Sequence, residues 1–588
     1  MKKTLALIFA AMFVLMLFAG CGGTNTTTPT KAPDSGTTTP TKAPDTGKAT
    51  PAPTAAPTEE PSPYHFAKGK YAVDAEGWPL EKYEYELPLS TTDEKFTNMT
   101  LSFTPQYIPE AGMGSMPMYK GMEDMTGVHI EYNVVASAQY SERLGVMEAS
   151  QDLCDITAGF WAYHQGGSLT QCIDDEVIIN HYDYREYAPN FCKWAKDWQH
   201  IEGMWGRVNM PTTDKWIAFV DFYDQPCQTT GYFMRGDWLD KLGLDAYSAI
   251  TFDDWYDQLM AIKVAGFENC EYPLQVYPSI DAYANVWNDF NTTPYASGCT
   301  YNRVIDGKVS FNGTTEDDLV LAKYIRKWFE DGIIIPYFQS LSGLDDITSD
   351  VTNGNVGCCF MNPSEVAGTE ASCVTPGARF DAMKKLVRKP GNIIHWNLDP
   401  DEFGGTGSSV SAACENIELV VTWLDWCYSP TGADWRNFGP EGEYWSYNDK
   451  GEREWNEKIT GFEMGAGWAT MAYLQNPMDS GVNAQTRNYL YPGGERLLHF
   501  FEVWNECLDY YDGIYNYPAA IKLSDEDSNE VASLRTDCNT FFSENYVQFL
   551  VGDKDFSEWD SFQKQLMDGW MSRITEIYQD AYDDYKKG

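Results

Sequence analysis

The chain has 588 residues, with 86 Asp or Glu against 42 Lys or Arg and a formal net charge of −44. That balance excludes a nucleic-acid binder, whose phosphates it would repel, and a body that docks on anionic lipid through its surface charge. With 43% hydrophobic and 15% aromatic residues, the composition is that of a large globular body that outgrows one core and divides into lobes.

At the start, Lys2 and Lys3 precede an apolar run from Leu5 to Phe18, followed by Ala19-Gly20-Cys21-Gly22-Gly23. This is the pattern of a secretory signal, too short and wrongly flanked for a permanent span. The small residues before Cys21 resemble a bacterial lipobox, with Phe18 where Leu is usual. The resemblance implies a signal peptide over 1–20, cleavage before Cys21 and its lipidation. Secretion without the lipid is the alternative. From Thr24 to Pro63 the chain is almost wholly Thr, Pro, Ala, Lys, Asp, Ser and Gly, and Thr26–Gly36 returns as Thr37–Gly47 with one change. Such a segment cannot bury enough apolar surface to offset its ordering entropy. Residues 21–63 are therefore expected to form a stalk reaching on the order of 40 to 120 Å, with the body over 64–588.

In the body, Met99–Phe103 reads as a strand, Thr104–Gly114 as a Pro- and Gly-bearing loop, and Val128–Val134 as an alternating strand. A helix over Ser141–Ser150 and a short strand Asp155–Ala158 follow, and this alternation points to α/β units with a mostly parallel sheet. Thr251-Phe252-Asp253-Asp254 has capping-box form and is followed by Trp255, Leu259 and Ile262 at helical spacing. Val304–Val309 predicts a hairpin with an Asp-Gly turn. Thr315–Asp318 opens a helix through Trp328 and Phe329 that Gly332 stops. A second strand–helix series runs from Val356 through a helix over Glu418–Tyr428, ended by Pro430. The chain closes on a long amphipathic helix with Trp559, Phe562, Leu566, Ile574, Ile577 and Ala581 on one face.

Met234-Arg235-Gly236-Asp237-Trp238-Leu239-Asp240-Lys241-Leu242-Gly243-Leu244, with Thr251–Trp255 behind it, resembles the signature of extracellular solute-binding proteins, family 1. Leu87–Phe96, Thr104–Pro109, Phe438–Tyr444 and Ile577–Tyr582 resemble further segments of that family. The likeness spans roughly Tyr64 to Lys587 and is nearest to the large Gram-positive subgroup that imports oligosaccharides. It implies a two-lobed α/β fold of the periplasmic-binding-protein type (type II), a hinge, and ligand in the cleft. The lobes are expected as about 97–220 plus 345–400 and about 225–340 plus 405–588. The partners implied are an oligosaccharide, the membrane subunits of an ABC permease, and the membrane itself through Cys21, with the protein a monomer. Some relatives hold calcium in a loop before a Glu-Tyr-Pro segment. Val264–Pro273 lacks those alternating oxygens, so no metal or cofactor is expected.

A sugar needs flat aromatic platforms and in-plane hydrogen-bonding groups. In open α/β sheets ligands meet the carboxyl ends of strands. That rule selects Tyr107 and Glu110 after the first strand, and Phe160 and Trp161 after Asp155–Ala158. Trp287 stands beside Asn288, Asp289 and Asn291, Trp396 beside Asn397 and Asp399, and Trp468 behind Gly465-Ala466-Gly467. Trp238, Trp255, Trp328 and Trp423 sit on helical faces and are assigned to packing.

No Walker A, G-x-G-x-x-G or G-x-S-x-G motif occurs, and the expected function is a binding receptor without catalysis. A surface glycoside hydrolase or lyase is the alternative from another class. The charge of −44 favours a neutral ligand; Arg143, Arg207, Arg303 or Arg379 near the cleft would instead suit a carboxylate, and a peptide or other small solute is the remaining alternative. Cysteines number fourteen, none at C-x-x-C spacing, which suggests free thiols.

Overall fold

The structure is a computed structural model. It describes residues 62–164, 169–197, 214–227, 231–276, 287, 289–292, 299–341, 344–361, 363–396, 401–462, 465–474, 480–484, 486–487, 490, 494–518, 521 and 523–587. The signal segment, Cys21 and the stalk lie outside them.

Thirteen strands are described: β1 (Lys95–Ser102), β2 (His129–Ala136), β3 (Ile156–Ala158), β4 (Phe219–Cys227), β5 (Gly231–Arg235), β6 (Asn302–Ile305), β7 (Lys308–Phe311), β8 (Cys358–Met361), β9 (Phe380–Ala382), β10 (Asp401–Val410), β11 (Trp445–Tyr447), β12 (Arg453–Trp455) and β13 (Val482–Asn483). The local signals are realised as expected. Thr251 and Asp254 form a reciprocal capping box on the helix Phe252–Ala265, a cap worth about 1 kcal/mol. Asp306 and Gly307 take positive φ of 50° and 76° and turn β6 into β7, the geometry a two-residue hairpin loop requires. Two expectations differ. Pro430 begins the next helix, Pro430–Phe438, as its first residue. The terminal helix is interrupted by a π-helical turn at Met567–Met571 between Trp559–Leu566 and Ser572–Lys587.

The main sheet has the order β13-β4-β10-β3-β1-β2. β1 runs parallel to β2 in register from Lys95↔His129 to Ser102↔Ala136, and parallel to β3. β13 runs parallel to β4, while β10 is antiparallel to both its neighbours, β3 and β4. Every strand but β10 therefore points the same way, and their carboxyl ends share one edge. A three-stranded antiparallel sheet, β8-β5-β9, forms the centre of a second layer system.

Two hydrophobic cores follow these sheets. One gathers Met99, Ile156, Phe219, Val410 and Trp426; the other gathers Phe233, Trp255, Trp328, Phe360, Trp504 and Trp559. The chain leaves the first core after Phe222 and joins the second from Tyr232 to Leu386. It returns from Val410 to Val482, then finishes in the second from Leu497 onward. The expected lobe boundaries for the returning segments are thereby corrected. Val351–Leu386 packs with the second core because β8 and β9 flank β5, and Val410–Val482 packs with the first because β10 lies between β3 and β4. Strand–helix alternation shows that a strand exists, not which of two sheets it rejoins.

His181 ties β10 to the segment before β4. Its Nδ1 donates to the Trp216 carbonyl at 3.1 Å, and its Nε2 accepts the Val410 N–H at 3.0 Å. A second ring proton would meet that N–H head-on, and burial pushes His181 down to about 4. An unfolded His takes up its proton near 6.5, so between about 6.5 and 4 the unfolded chain binds more protons and stability falls with pH. The full loss is about 3 kcal/mol. Denaturant titrations at pH 7 and 4.5 should show this acid-weakening in the wild type and not in His181→Gln. Comparison at each pH removes the opposing contribution of Asp425, which burial pushes up to about 6.

Candidate functional site

Three chain crossings between the cores, after Phe222, after Leu386 and after Val482, all lie at or beyond the carboxyl edge of the main sheet. That edge faces the second lobe.

After β1 the chain exposes Phe103 (40% exposed) and makes a short turn, Pro105–Tyr107. The half-buried Tyr107 packs its ring 4.7 Å from Phe462. The helix Ala466–Tyr473, which carries the half-buried Trp468, packs against this turn and also touches the helix Pro363–Ser372 of the second lobe. Glu110 is exposed farther along the same loop. After β3, Gly159 adopts φ 67° and the short helix Phe160–Tyr163 begins. Trp161 is half-buried there, and its indole N–H is shielded from solvent with no hydrogen-bond partner among the described residues. A half-buried aromatic ring at a strand's carboxyl end is suited to stack on the apolar face of a sugar.

Tyr107, Glu110, Trp161 and Trp468 thus lie on or beside this edge. The other expected residues do not. Phe160 is fully buried and stacks on His164 at 5.3 Å, because its side chain turns under the helix into the first core. Trp287 is 1% exposed, stacked on Phe252 at 5.2 Å with Trp328 edge-on at 5.3 Å, a centre of the second core. Asp289 is buried and accepts from the Arg388 backbone N–H, from Arg388 Nε at 3.3 Å and from Asn392 Nδ2 at 3.3 Å. Its carboxylate anchors the segment after β9. Trp396 is 3% exposed and donates from Nε1 to the Asn302 carbonyl at 3.1 Å, next to Tyr301. Beside Trp287 the polar neighbour Asp289 serves chain-to-chain bonding, while Asn288 and, beside Trp396, Asn397 lie outside the described residues. Asp399 lies outside the described residues. Trp238, Trp255, Trp328 and Trp423 are buried packing residues.

Three side chains that the sequence reading did not select stand at the ends of β4 and β13, on the same edge. Tyr223 is half-buried and pairs in parallel register with Asn483, and Asp224 is exposed one residue on. Arg487, just beyond β13, is pushed down to about 10 by burial and stays protonated at neutral pH, countered by Asp221 and Asp224. The strand-end rule would have found all three had β4 and β13 been placed in the sheet.

A cavity of ≈ 20 Å³ between the sheet and the helices that cover it, lined by Asn98, Tyr119, Trp423 and Arg436 among others, has room for about one water and none for a sugar.

No family model matches the chain. It is 24% identical over 504 residues, covering 79% of this chain and 86% of the relative, to the fructooligosaccharide ABC transporter substrate-binding protein FusA of Streptococcus pneumoniae. Among solved structures it is similar to an HMO-binding, ABC-transporter-associated solute-binding protein from Bifidobacterium longum infantis, at 17% identity and TM-score 0.65, covering 84% of this chain and 99% of that one. It is also similar to S. pneumoniae FusA in complex with kestose, at 19% identity and TM-score 0.62, covering 84% and 100%. These relatives are transport binding proteins, not enzymes. The chain has the two-lobed α/β fold of extracellular solute-binding proteins of ABC importers, the family that its Met234–Leu244 segment resembles.

Proposed function

We propose that this protein is the substrate-binding lipoprotein of an ABC importer. It captures a neutral oligosaccharide between its lobes, without catalysis, and delivers it to a membrane permease. The observation that carries the reading is Trp161, a half-buried aromatic ring at the carboxyl end of β3, on the edge that faces the second lobe. The sugar-binding relatives supply the ligand class, and the fructooligosaccharide relative supplies the first candidate. Two arginines that could serve a uronate are engaged elsewhere. Arg303 is fully buried beside Asp318, and Arg379 is held by Asp240 and Asp381. Arg143 is exposed on the helix Ser137–Ser150, and Arg207 lies outside the described residues. The chain is tethered at Cys21 by lipid, on the outer face of the cell membrane, with residues 24–63 as stalk.

Calorimetric titration with neutral tri- to pentasaccharides, kestose included, and with uronate oligomers tests this. Trp161→Ala should weaken binding of the recognised glycan by about 1–3 kcal/mol, the loss of an aromatic anchor, with little change in unfolding midpoint. Binding of uronates alone, or full affinity in the variant, would overturn the reading of the ligand or of the platform respectively.

A further inference from the structure

Behind the short helix that carries Trp161, three chemistry-bearing side chains from separate segments converge. His164 closes the helix Phe160–Tyr163, Glu148 lies in the last turn of Ser137–Ser150, and Cys172 sits in the helix Leu169–Asp174. The Glu148 carboxylate is hydrogen-bonded to His164 Nδ1, and the Cys172 thiol lies 3.5 Å from His164 Nε2. Phe160 stacks on the imidazole at 5.3 Å and an interplanar angle of 20°, fixing the ring between its two partners. Side-chain exposure is 7% for His164 and 17% for Glu148. A thiol, a base within reach of it, and a carboxylate that orients the base is the arrangement by which a nucleophile is activated.

Among the described residues twelve cysteines are free thiols, and of these twelve Cys172 is the one with a ring nitrogen against its sulfur. We propose that Cys172 is a nucleophilic thiol, activated by His164 and positioned through Glu148, that is modified by low-molecular-weight disulfides. The Cys172 proton passes to His164 Nε2 while Nδ1–H is held by Glu148. The thiolate attacks one sulfur of R–S–S–R, the Cys172–S–S–R bond forms, and the old S–S bond breaks. The departing RS⁻ carries away the electron pair, and one mixed disulfide replaces another with no further oxidant. The imidazole is predisposed to hold that proton: its bonds to Cys172 and then to Glu148 raise it to about 10. Cys172 is 7% exposed, which restricts the partner to a small disulfide.

The test uses 2,2′-dithiodipyridine on the full folded protein at about pH 6, where an ordinary thiol is scarcely ionised. One thiol per chain should react at least about tenfold faster than the others, and peptide mapping should place the added pyridylthio group on Cys172. Cys172→Ser should abolish the fast phase. His164→Gln should slow it about tenfold or more, with the same total thiol count after denaturation. Should His164→Gln not fold, Glu148→Gln, at a more exposed position, gives the same reading through a smaller slowing. A fast phase that survives Cys172→Ser, an unchanged rate in both histidine-side variants, or no thiol faster than the rest would each overturn the proposal.

Discussion

Replacing Trp287 by Ala should destabilise the protein by about 3–5 kcal/mol and leave glycan affinity unchanged in the molecules that remain folded. The indole is sandwiched in the second core, parallel to Phe252 within 4° and met edge-on by Trp328. Truncation removes a fully buried aromatic and leaves a cavity that two neighbouring large rings, Phe252 and Trp328, cannot collapse to fill. A denaturant curve and a calorimetric titration on the same preparation separate the two quantities. Lost affinity with unchanged stability would instead return Trp287 to the ligand site.

An effect of similar size is expected at Asp425. This carboxylate is buried in the first core and accepts four hydrogen bonds: from Tyr85 Oη at 2.7 Å, the Asn190 N–H at 3.1 Å, Asn190 Nδ2 at 2.9 Å and the Phe191 N–H at 2.7 Å. It thereby joins the segment around Tyr85 before β1, the helix Pro189–Asp197 and the helix Ile417–Trp426 in which it sits. Asp425→Ala strands several buried donors at about 1–3 kcal/mol each, so a loss of at least about 3 kcal/mol is expected. Asp425→Asn preserves shape but turns an N–H toward other donors, and it should recover only part. Chemical denaturation of the two variants checks the order. Equal stability of wild type and Ala variant would mean that water replaces the carboxylate.

The parts of this molecule that were legible in its sequence are those fixed over short range. Capping at Thr251, the Asp306-Gly307 turn and the first two strands depend on neighbours a few residues away, and they are where the pattern put them. The segment Met234–Leu244 carried the fold resemblance and is itself structural: Arg235 is buried between Asp237 and Glu268. What the sequence concealed is long-range. Pairing of β10 with β3 and β4 decides which lobe the chain rejoins, and no local signal encodes that pairing. The site suffered for the same reason. Tyr107, Trp161 and Trp468 follow or pack on strand ends that were correctly read or near them. Trp287 and Trp396 were chosen for polar neighbours, and those neighbours either tie chain segments together, as Asp289 does with Arg388, or fall outside the described residues. In a chain with twenty tryptophans, local polarity led to two core residues, Trp287 and Trp396, and the strand-end rule led to one, Phe160.

Capture of an oligosaccharide between two lobes requires that ligand favour the closed arrangement, since only a differential affinity can shift a hinge equilibrium. Small-angle X-ray scattering of the purified protein, with and without a saturating concentration of the neutral oligosaccharide that binds in calorimetry, measures this directly. The account predicts a smaller radius of gyration in the saturated sample, with the sugar recovered intact. An unchanged radius at saturation, with new reducing ends in the recovered sugar, would contradict it.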